Sequence, residues 1–464
     1  MVEKFEKIGL DYIFKNLNLV TFLGKNRIKN LKFNSSAEEL KIEYDNIELT
    51  TMFVENNKKS LEEIKRRLLS IKDISNVIYR LKEGYILDDL DFFDIKIFTL
   101  ETQRIYDEIN ESLFFTSPKN LEKVVSILDP ENMKIPSFYI YSLYSIELGQ
   151  IRDEIKKKKE KVIDDNQGEI EKLYEQEMKI EDKIRKELSD KLIKHSESLL
   201  YSLDKIGYLD LLLAKVELNE KLSLVRPILG EKNRYKKIFN PKVMASMTEK
   251  GKKYQKIDVE IEEKITVITG ANMSGKTLIL KTIALCQYLC QFGFFVPSDW
   301  AEIKLVDRVF LMVGDSQSID SGLSSFASEM LTLNEIILNV KSGEKPLILI
   351  DELGRTTNPK EGRAIVRSVI DFFKDKELKA IITTHYDGIG RDIARMRVKG
   401  LNKNDIPENI SEKNIEFYID YSLIEDENGK VPEEGLTVAK LLKIDEDIIN
   451  KAYIYLYKTE EQND

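Results

Sequence analysis

The chain has few of the residues that build disulfide bridges or metal sites. Its 464 residues include two cysteines, Cys286 and Cys290, and two histidines, His195 and His385. The spacing of four between the cysteines places both thiols on one face of a helix. Half of a metal or redox site would need further ligands that the sequence does not supply, so we expect buried free thiols instead.

Long apolar runs and an excess of positive charge are also missing. No stretch approaches the roughly 18 to 20 uncharged apolar residues that a membrane span needs, and acidic residues stand where a signal peptide would be basic. We therefore expect a cytoplasmic protein without a membrane partner. The 72 basic and 81 acidic residues give a net charge of -9, which excludes a general attraction to nucleic acid, so any DNA contact has to be local.

Glycine and proline are scarce in the first half of the chain. Residues 1 to about 230 predict helix after helix, which indicates an all-α domain. Within it, residues 148–195 are nearly all charged apart from a sparse apolar stripe, which Asn166-Gln167-Gly168 interrupts. This pattern predicts a short coiled-coil arm of two antiparallel helices with a turn at its tip. The lysine run 156–159 lies on this arm, and we favour a solvated face over the alternative of phosphate contacts.

Short β-rich runs separated by helical stretches replace this pattern after about residue 230. They are apolar, rich in β-branched residues and bounded by Gly, Asp or Pro; they comprise Ile265 to Thr269, Val309 to Val313, Leu347 to Ile350 and Ala380 to Thr383. Strands of this kind have both faces covered, which is typical of a mainly parallel sheet with helices on both faces. We therefore predict a second, α/β domain over residues 231–464.

A glycine-rich loop follows the first of these strands and matches a P-loop in sequence and context. Its backbone N–H groups would surround phosphate oxygens, Lys276 would neutralise the terminal phosphates and Thr277 would bind magnesium at a helix N-terminus. We predict ATP and Mg²⁺ as ligands. The predicted nucleotide contacts are Gly270, Ala271, Asn272, Met273, Ser274, Gly275, Lys276, Thr277 and Leu278.

Another apolar strand ends in two carboxylates about 75 residues farther along. Beside a P-loop, Asp351 would hold magnesium, directly or through water, and Glu352 would polarise the attacking water. The strand before His385 would bring this histidine to the same sheet edge, where it could donate to the γ-phosphate and report which nucleotide is bound. Solvated acids and a structural histidine are the alternatives at these positions.

The segment 321–330, SGLSSFASEM, precedes a helical run about 20 residues ahead of Asp351. Hydroxyls and N–H groups at the start of that helix form a second anion site. Kinases and small GTPases have no such element just before the aspartate, whereas in the ABC class of ATPases it reaches the γ-phosphate held by a partner subunit. We therefore expect an ABC-type ATPase, with a capped helix that binds no ligand as the alternative.

Together these motifs resemble the ATPase domain of the MutS family of DNA mismatch repair proteins, including its branch associated with recombination. The matching stretches are ITGANMSGKTLILKT, GDSQSIDSGLSSFASEM, LILIDELGRTTNPKEG, TTHY and EEGLTVAKLLKIDEDIINKA. The resemblance implies that Asn272 touches the terminal phosphate, that Ser324 acts in trans and that His385 is the switch histidine. It also implies catalytic roles for Lys276 and Glu352, and a homodimer formed through a C-terminal segment at about 430–455.

The helical half resembles, more faintly, the core, lever and clamp regions of that family. Because the chain begins near the core region, we expect no N-terminal mismatch-reading domain, and mismatch recognition stays open. The resemblance implies an ATP-hydrolysing dimer that moves helical levers and changes its grip on DNA in repair or recombination. The alternative is an ATP-driven remodeller or reactivating factor for a protein client, such as a cobalamin-dependent aminomutase, which the acidic net charge favours.

Overall fold

The structure, a computed structural model, describes residues 2–109, 112–160, 167–271, 273–314, 325–389, 393–402, 418–426 and 435–460, with the backbone alone at 2–4, 167, 325 and 457–460. The chain divides into two compact units. The first contains Met1–Asn16, Lys32–Tyr44 and Leu218–Asp464, and the second contains Leu17–Leu31 and Asp45–Glu217. A single boundary near residue 230 was predicted from the sequence, whereas Met1–Asn16 and Lys32–Tyr44 group with the α/β unit and not with the helical one.

Helices make up most of the described chain. In chain order they are α1 Val2–Ile8, α2 Leu10–Lys15, α3 Phe22–Lys29, α4 Ala37–Asn56, α5 Lys58–Leu68, α6 Ser75–Lys82, α7 Asp89–Ile109, α8 Glu122–Leu128, α9 Ile146–Glu160, α10 Gln167–Leu192, α11 Ser196–Leu222, α12 Pro241–Glu249, α13 Lys276–Gln291, α14 Ser325–Lys341, α15 Pro359–Lys374, α16 Gly435–Leu441 and α17 Glu446–Glu460. Two unit boundaries fall inside α4 and α11.

The strands all lie in the first unit. They are β1 Ile228–Leu229, β2 Asn233–Ile238, β3 Ile257–Ile261, β4 Ile265–Thr269, β5 Trp300–Ile303, β6 Val309–Met312, β7 Leu347–Asp351, β8 Lys379–Thr383, β9 Ala394–Leu401 and β10 Ile419–Glu425. The described part of the chain before Ile228 therefore contains helices, turns and loops, as its low glycine and proline content predicted.

The second unit is built around one apolar core. Helices α5 to α11 all contribute to it, and the predicted stripe of the charged segment is part of it through Leu148, Ile151, Ile155, Leu173, Ile180, Ile184, Leu188 and Leu192. Ion pairs flank the stripe, because Arg152 on α9 binds Glu177 and Glu181 on α10 at 2.7 Å each. Gln167 and Gly168, predicted to lie in a turn, belong to α10; Asn166 lies outside the described residues. The arm as a projecting coiled coil stays a prediction.

A six-stranded sheet forms the centre of the first unit, in the order β10-β9-β4-β8-β7-β6. All neighbours pair in parallel except β9 with β10. Parallel strands require crossover connections, and helices α13, α14 and α15 supply them. The four strands predicted from the sequence therefore lie side by side in this sheet, together with β9 and β10.

Both faces of this sheet are covered. Ile265, Ile348 and Ile382 point to the face on which α14 and α15 pack with Ile336, Val366 and Phe373. The alternate residues of the same strands, such as Ile268, Leu349 and Ile381, are equally buried. This double burial explains why the strands are continuous apolar runs, and it confirms an α/β architecture with a mainly parallel sheet.

A second sheet, which the sequence analysis did not predict, has four strands in the order β1-β5-β2-β3. Its strands pair antiparallel except β1 with β5. β3 alternates buried and exposed positions, as expected for a strand with one solvated face.

The two cysteines lie on α13 in this unit and are free and fully buried, as predicted. The Tyr44 hydroxyl donates to the carbonyl of Cys290 at 2.7 Å. None of the helices in the described ranges combines the length and apolar character needed to cross a membrane.

Candidate nucleotide-binding site

The predicted P-loop connects β4 to α13 at the carboxyl edge of the six-stranded sheet. All five residues of β4 are buried, and α13 begins at Lys276. Gly275, the residue before the helix, has a φ of 82°, and a Cβ there would stand 3.1 Å from the ring of Tyr421 on β10. Glycine is required at this position for two reasons, the left-handed backbone and the close approach of the tyrosine.

Lys276 is turned inward at the start of α13, with its side chain only 5 % exposed. Its Nζ donates to the carbonyl oxygens of Gly270 at 2.7 Å and Ala271 at 2.9 Å, and lies 3.4 Å from Oε1 of Glu352. Burial lowers the pKa of Lys276, and the Glu352 and Asp351 carboxylates oppose this shift. The structure thus places a buried cation between the loop and the two predicted acids.

The two predicted magnesium ligands are in direct contact. The Thr277 hydroxyl donates to Oδ2 of Asp351 at 2.6 Å. The other carboxylate oxygen, Oδ1, accepts from the hydroxyl of Thr383 at 2.7 Å. Asp351 and Thr383 are direct partners in the pairing of β7 with β8, so the register of the sheet fixes this cluster of oxygen atoms.

Glu352 adopts a left-handed backbone with a φ of 49°, which is unusual for a residue other than glycine. Its N–H is shared between the carbonyl and the hydroxyl of Thr383, at 3.1 and 3.0 Å. Conformations of this kind cost on the order of 1–3 kcal/mol and persist where neighbouring groups enforce them. In this conformation Oε1 of Glu352 lies 3.4 Å from Nζ of Lys276.

The electrostatic surroundings keep Glu352 ionised. Burial raises its pKa, but Lys276, Arg355 and His385 together outweigh burial and lower the pKa below its usual value. Arg355 donates to Oε2 at 3.1 Å. His385 follows β8, is half-buried and has its ring centroid 4.2 Å from that of Tyr386. The predicted general base and the predicted switch histidine therefore lie at the same sheet edge.

Two predicted contacts fall outside the described residues. Asn272 lies inside the loop, and Ser324 lies directly before α14. The helix itself begins at Ser325, in agreement with the helical run predicted after this segment.

A cavity of about 740 Å³ adjoins the loop. The loop and α13 contribute Met273, Gly275, Thr277, Leu278 and Lys281 to its wall, and the rings of Tyr254 and Tyr421 and the side chain of Met247 line other sides. Its walls come entirely from the first unit. A cavity of this size with aromatic and apolar walls is typical of small-molecule sites.

The residues present fit a magnesium-bound triphosphate. The hydroxyl of Ser274 is buried and has no hydrogen-bond partner within the described part of the chain. Thr277 and Asp351 offer the hard oxygen ligands that magnesium prefers, and Lys276 is the buried cation beside them. An unpaired hydroxyl, a cation and two oxygen ligands at one helix N-terminus form a phosphate-binding arrangement.

Three contacting residues were not recognised from the sequence. Thr383 was assigned only to the end of a strand, although its hydroxyl holds both Asp351 and Glu352. Arg355 pairs with Glu352 three residues away, and Tyr421 covers Gly275 from a strand that was not predicted. The doubled threonine before His385 was the available signal for Thr383; we find no signal for Tyr421.

Comparison with known proteins agrees with this geometry. Residues 266–460 match the model of MutS domain V. The chain is 28 % identical to the endonuclease MutS2 of Caldanaerobacter subterraneus over 98 % of its length and 55 % of that relative. It is 30 % identical to the endonuclease MutS2 of a Geobacillus strain over 58 % of this chain and 33 % of the relative. The DNA mismatch repair protein MutS of Caldanaerobacter subterraneus is 29 % identical over 61 % of this chain and 32 % of the relative.

The chain therefore spans between about a third and about half of the length of these curated relatives. The domain V match begins in β4, one strand ahead of Lys276, and includes Asp351, Glu352 and His385. From the phosphate-binding geometry and these comparisons, we conclude that residues 266–460 form a domain of the MutS domain V family.

Proposed function

We propose that the chain binds magnesium-ATP at the β4–α13 loop and hydrolyses it to ADP and phosphate. The observation that carries this proposal is the contact of Thr277 with Asp351 beside the buried Lys276–Glu352 pair. The loop N–H groups, the Ser274 hydroxyl and Lys276 would hold the phosphates, and Thr277 and Asp351 would hold the metal. When bound, Mg²⁺ would neutralise charge on the phosphate oxygens.

Glu352 is the group of this site that can take a proton from water. Its lowered pKa leaves it ionised at neutral pH, and its strained backbone and the Arg355 contact fix the carboxylate at the sheet edge. Lys276 lies against the same carboxylate, so a single cation links the phosphate-binding loop to the base. His385 would donate a hydrogen bond to the terminal phosphate and so distinguish ATP from ADP.

The nucleoside would occupy the 740 Å³ cavity beside the loop. Its wall begins at Gly275 and Thr277, where the phosphates would end, and continues to Tyr254 and Tyr421, whose rings provide stacking surfaces. Placing the nucleoside there would put it beside the loop that holds the triphosphate.

The site would be completed by a second subunit. Ser324, one residue ahead of α14, would reach the γ-phosphate of the partner's nucleotide, as the ABC class implies. The predicted dimerisation segment carries apolar side chains at its surface, because Ile444, just before α17, and Ile448, Ile454 and Tyr455 on α17 are exposed. Exposed apolar residues that form one contiguous patch mark an interaction site, and a second copy of this segment would cover such a patch.

A mixed dimer tests the composite site. Each of the single variants Lys276→Ala and Ser324→Ala should lose nearly all phosphate release as a homodimer. A mixed dimer of the two should recover about half of the wild-type rate, because one of its two composite sites keeps both residues. Full activity of either homodimer, or no recovery on mixing, would contradict the composite site. Size-exclusion chromatography with light scattering establishes the dimer in each sample.

We further propose that ATP binding moves the helical unit and changes its grip on DNA, in repair or recombination. The relatives support DNA as the partner, since two are named endonucleases and one a DNA mismatch repair protein. Because the chain covers at most about half of each, the nuclease activity in their names is not assigned to it. The alternative of a remodeller for a protein client receives no support from these names.

The salt dependence of the binding affinity distinguishes a DNA partner from a protein client. We expect duplex or branched DNA to bind with an affinity that falls steeply with salt, by about 40-fold between 50 and 200 mM if three phosphates are contacted. Fluorescence anisotropy with labelled DNA gives this slope. No binding at 50 mM salt would contradict DNA as the partner and favour a protein client.

The lysine run on α9 adds an internal comparison. Lys156 and Lys157 are exposed, whereas Lys158 pairs with Glu154 and Glu169. If the run contacts phosphates, Lys156→Gln should reduce the salt slope by about one unit, whereas the exposed Lys59→Gln on α5 should leave it unchanged. An unchanged slope in both variants identifies the run as a solvated face.

A further inference from the structure

Gly354 lies two residues after Glu352 and has both of its backbone polar groups held by side chains. Its N–H donates to Oε1 of Glu329 at 2.9 Å, and its carbonyl accepts from the hydroxyl of Tyr386 at 2.8 Å. Its φ is 74°, and a Cβ at this position would stand 2.9 Å from the Cα of Gly362 on α15. The backbone after the proposed base is therefore fixed from three directions.

The two side chains that hold Gly354 come from elements with other proposed roles. Tyr386 is buried and directly follows His385, the proposed sensor of the terminal phosphate. Glu329 lies on α14, whose first residue follows Ser324, the proposed contact to the partner's nucleotide. Neither residue belongs to the P-loop or to the acidic pair at the end of β7.

Glu329 is suited to transmit movement of its helix. It lies four residues after Ser325, the first residue of α14 and the chain neighbour of Ser324, which corresponds to roughly 6 Å along a helix. At this length a helix moves as a rigid element. The half-buried Glu329 carboxylate also lies near Arg355 and Thr356, which belong to the same loop, and near Tyr386. A shift at the start of α14 therefore acts on the loop that follows Glu352.

We propose that Glu329 and Tyr386 are positioning residues that clamp Gly354, hold Glu352 in place for hydrolysis, and link it to Ser324 through α14. Nucleotide bound in the partner's site would in this way adjust the proposed base of the neighbouring site. The inference rests on the proposed ATPase function and deepens it, because it assigns a route of communication between the two composite sites.

Four variants test the clamp by separating binding from turnover. Glu329→Ala should lower kcat for phosphate release by about tenfold, the scale of one hydrogen bond to a charged acceptor, with the Kd for magnesium-ATP within about twofold of wild type. Glu329→Gln keeps an acceptor oxygen and should restore most of the rate. Tyr386→Phe should show an intermediate loss. Glu335→Ala, an exposed glutamate on the same helix, is the control and should behave as wild type.

Hydrogen–deuterium exchange of residues 352–358 tests the clamp without relying on activity. In the absence of nucleotide, Glu329→Ala should exchange faster in this segment than wild type or Glu335→Ala. A non-hydrolysable ATP analogue should slow the exchange in wild type, but not in Glu329→Ala, although both bind the analogue. Equal exchange in all three proteins, or an equal response to the analogue, would overturn the clamp and its link.

The two proposals fail in different ways. If the wild type neither binds nor hydrolyses ATP, the proposed function is wrong, and the exchange experiment without nucleotide still decides whether Glu329 holds Gly354. If the wild type hydrolyses ATP and Glu329→Ala matches it in kcat, the ATPase stands and the clamp is wrong.

Discussion

Glu352→Gln is expected to lower steady-state phosphate release by at least about 100-fold, while magnesium-ATP binding stays within a few-fold of wild type. A positioned general base contributes about 10²- to 10⁴-fold to a reaction, and an amide cannot accept the proton. The substitution keeps the size of the side chain and a hydrogen-bond acceptor for Arg355, so the strained backbone and the Thr383 contacts should persist. A coupled phosphate assay and equilibrium binding of a fluorescent ATP analogue measure the two quantities.

The control for this substitution is Glu335→Gln, which makes the same chemical change at an exposed position of α14. It should leave both quantities unchanged. Because the pKa of Glu352 lies below its usual value, its base form persists to lower pH. As the pH is lowered, the wild-type rate should therefore begin to drop only below the pH at which an ordinary glutamate titrates. A Glu352→Gln protein with the wild-type rate would show that another group activates the water.

Lys96→Met is expected to destabilise the helical unit by about 3–5 kcal/mol, the usual cost of removing one partner of a buried ion pair. Lys96 on α7 and Asp129 are both 0 % exposed, with Nζ 2.9 Å from Oδ1. Nζ also donates to the Tyr141 hydroxyl at 2.8 Å, and the backbone N–H of Lys134 donates to the other oxygen of Asp129 at 2.7 Å. Without Lys96, the Asp129 carboxylate is left buried with its charge uncompensated.

Urea unfolding of the full chain measures this loss. Far-UV circular dichroism follows the helices, and fluorescence of Trp300, the single tryptophan, follows the first unit. The control is Lys72→Met, which breaks the partly exposed pair with Asp94 on α7 and should cost about 1 kcal/mol or less. The double variant Lys96→Met with Asp129→Asn should recover part of the loss. Equal urea midpoints of unfolding for Lys96→Met and Lys72→Met would show that the buried pair adds no more stability than the partly exposed one.

The pH dependence of the same pair has a definite sign. Burial raises the pKa of Asp129, but the hydrogen bonds from Lys96 and from the backbone N–H groups of Lys134 and Met133 outweigh it, so the pKa is lowered. A carboxyl with a lowered pKa contributes stability above its unfolded pKa of about 3.9 and loses it as the pH falls below that value. The difference in stability between wild type and Asp129→Asn should therefore shrink in acid.

The sequence contained enough information to predict which residues of the site belong together. Four apolar runs predicted four strands, and the ends of three of them carried the loop, the acids and the histidine. Since the carboxyl ends of parallel strands meet at one edge, Lys276, Asp351 and His385 were expected to meet there. Strand identity follows from local composition, and for that reason this part of the prediction succeeded.

Strand order and register could not be predicted from the same patterns. Thr383 holds Asp351 because β7 and β8 are neighbours paired at these two residues. Any of several strand orders would have satisfied the same apolar runs, so the doubled threonine before His385 marks a polar strand end without showing that Thr383 holds Asp351. The same holds for Tyr421, which reaches Gly275 from more than 140 residues farther along the chain.

Local patterns also did not predict to which unit a segment belongs, because long-range packing decides this. Residues 1–16 and 32–44 are as rich in helix-forming residues as the rest of the first half, yet they group with the α/β unit. Part of the reason is a set of polar contacts to α13: the Gln291 side chain donates to the carbonyl of Asn34 at 3.0 Å, and its backbone carbonyl accepts from the Asn34 N–H at 2.8 Å. Helical periodicity carries no information on such partners.

The burial of Cys286 and Cys290 has a practical consequence for following motion. Burial raises the pKa of Cys290 to about 12 and that of Cys286 well above its usual value, and the thiolate is the form that reacts with alkylating dyes. At neutral pH, a maleimide should therefore label a single cysteine introduced on the exposed face of α9 and leave both native sulfurs unmodified. Changes in the distance between Trp300, as the donor, and a suitable acceptor dye on α9 could then be recorded by energy transfer when nucleotide is added to an otherwise unaltered chain.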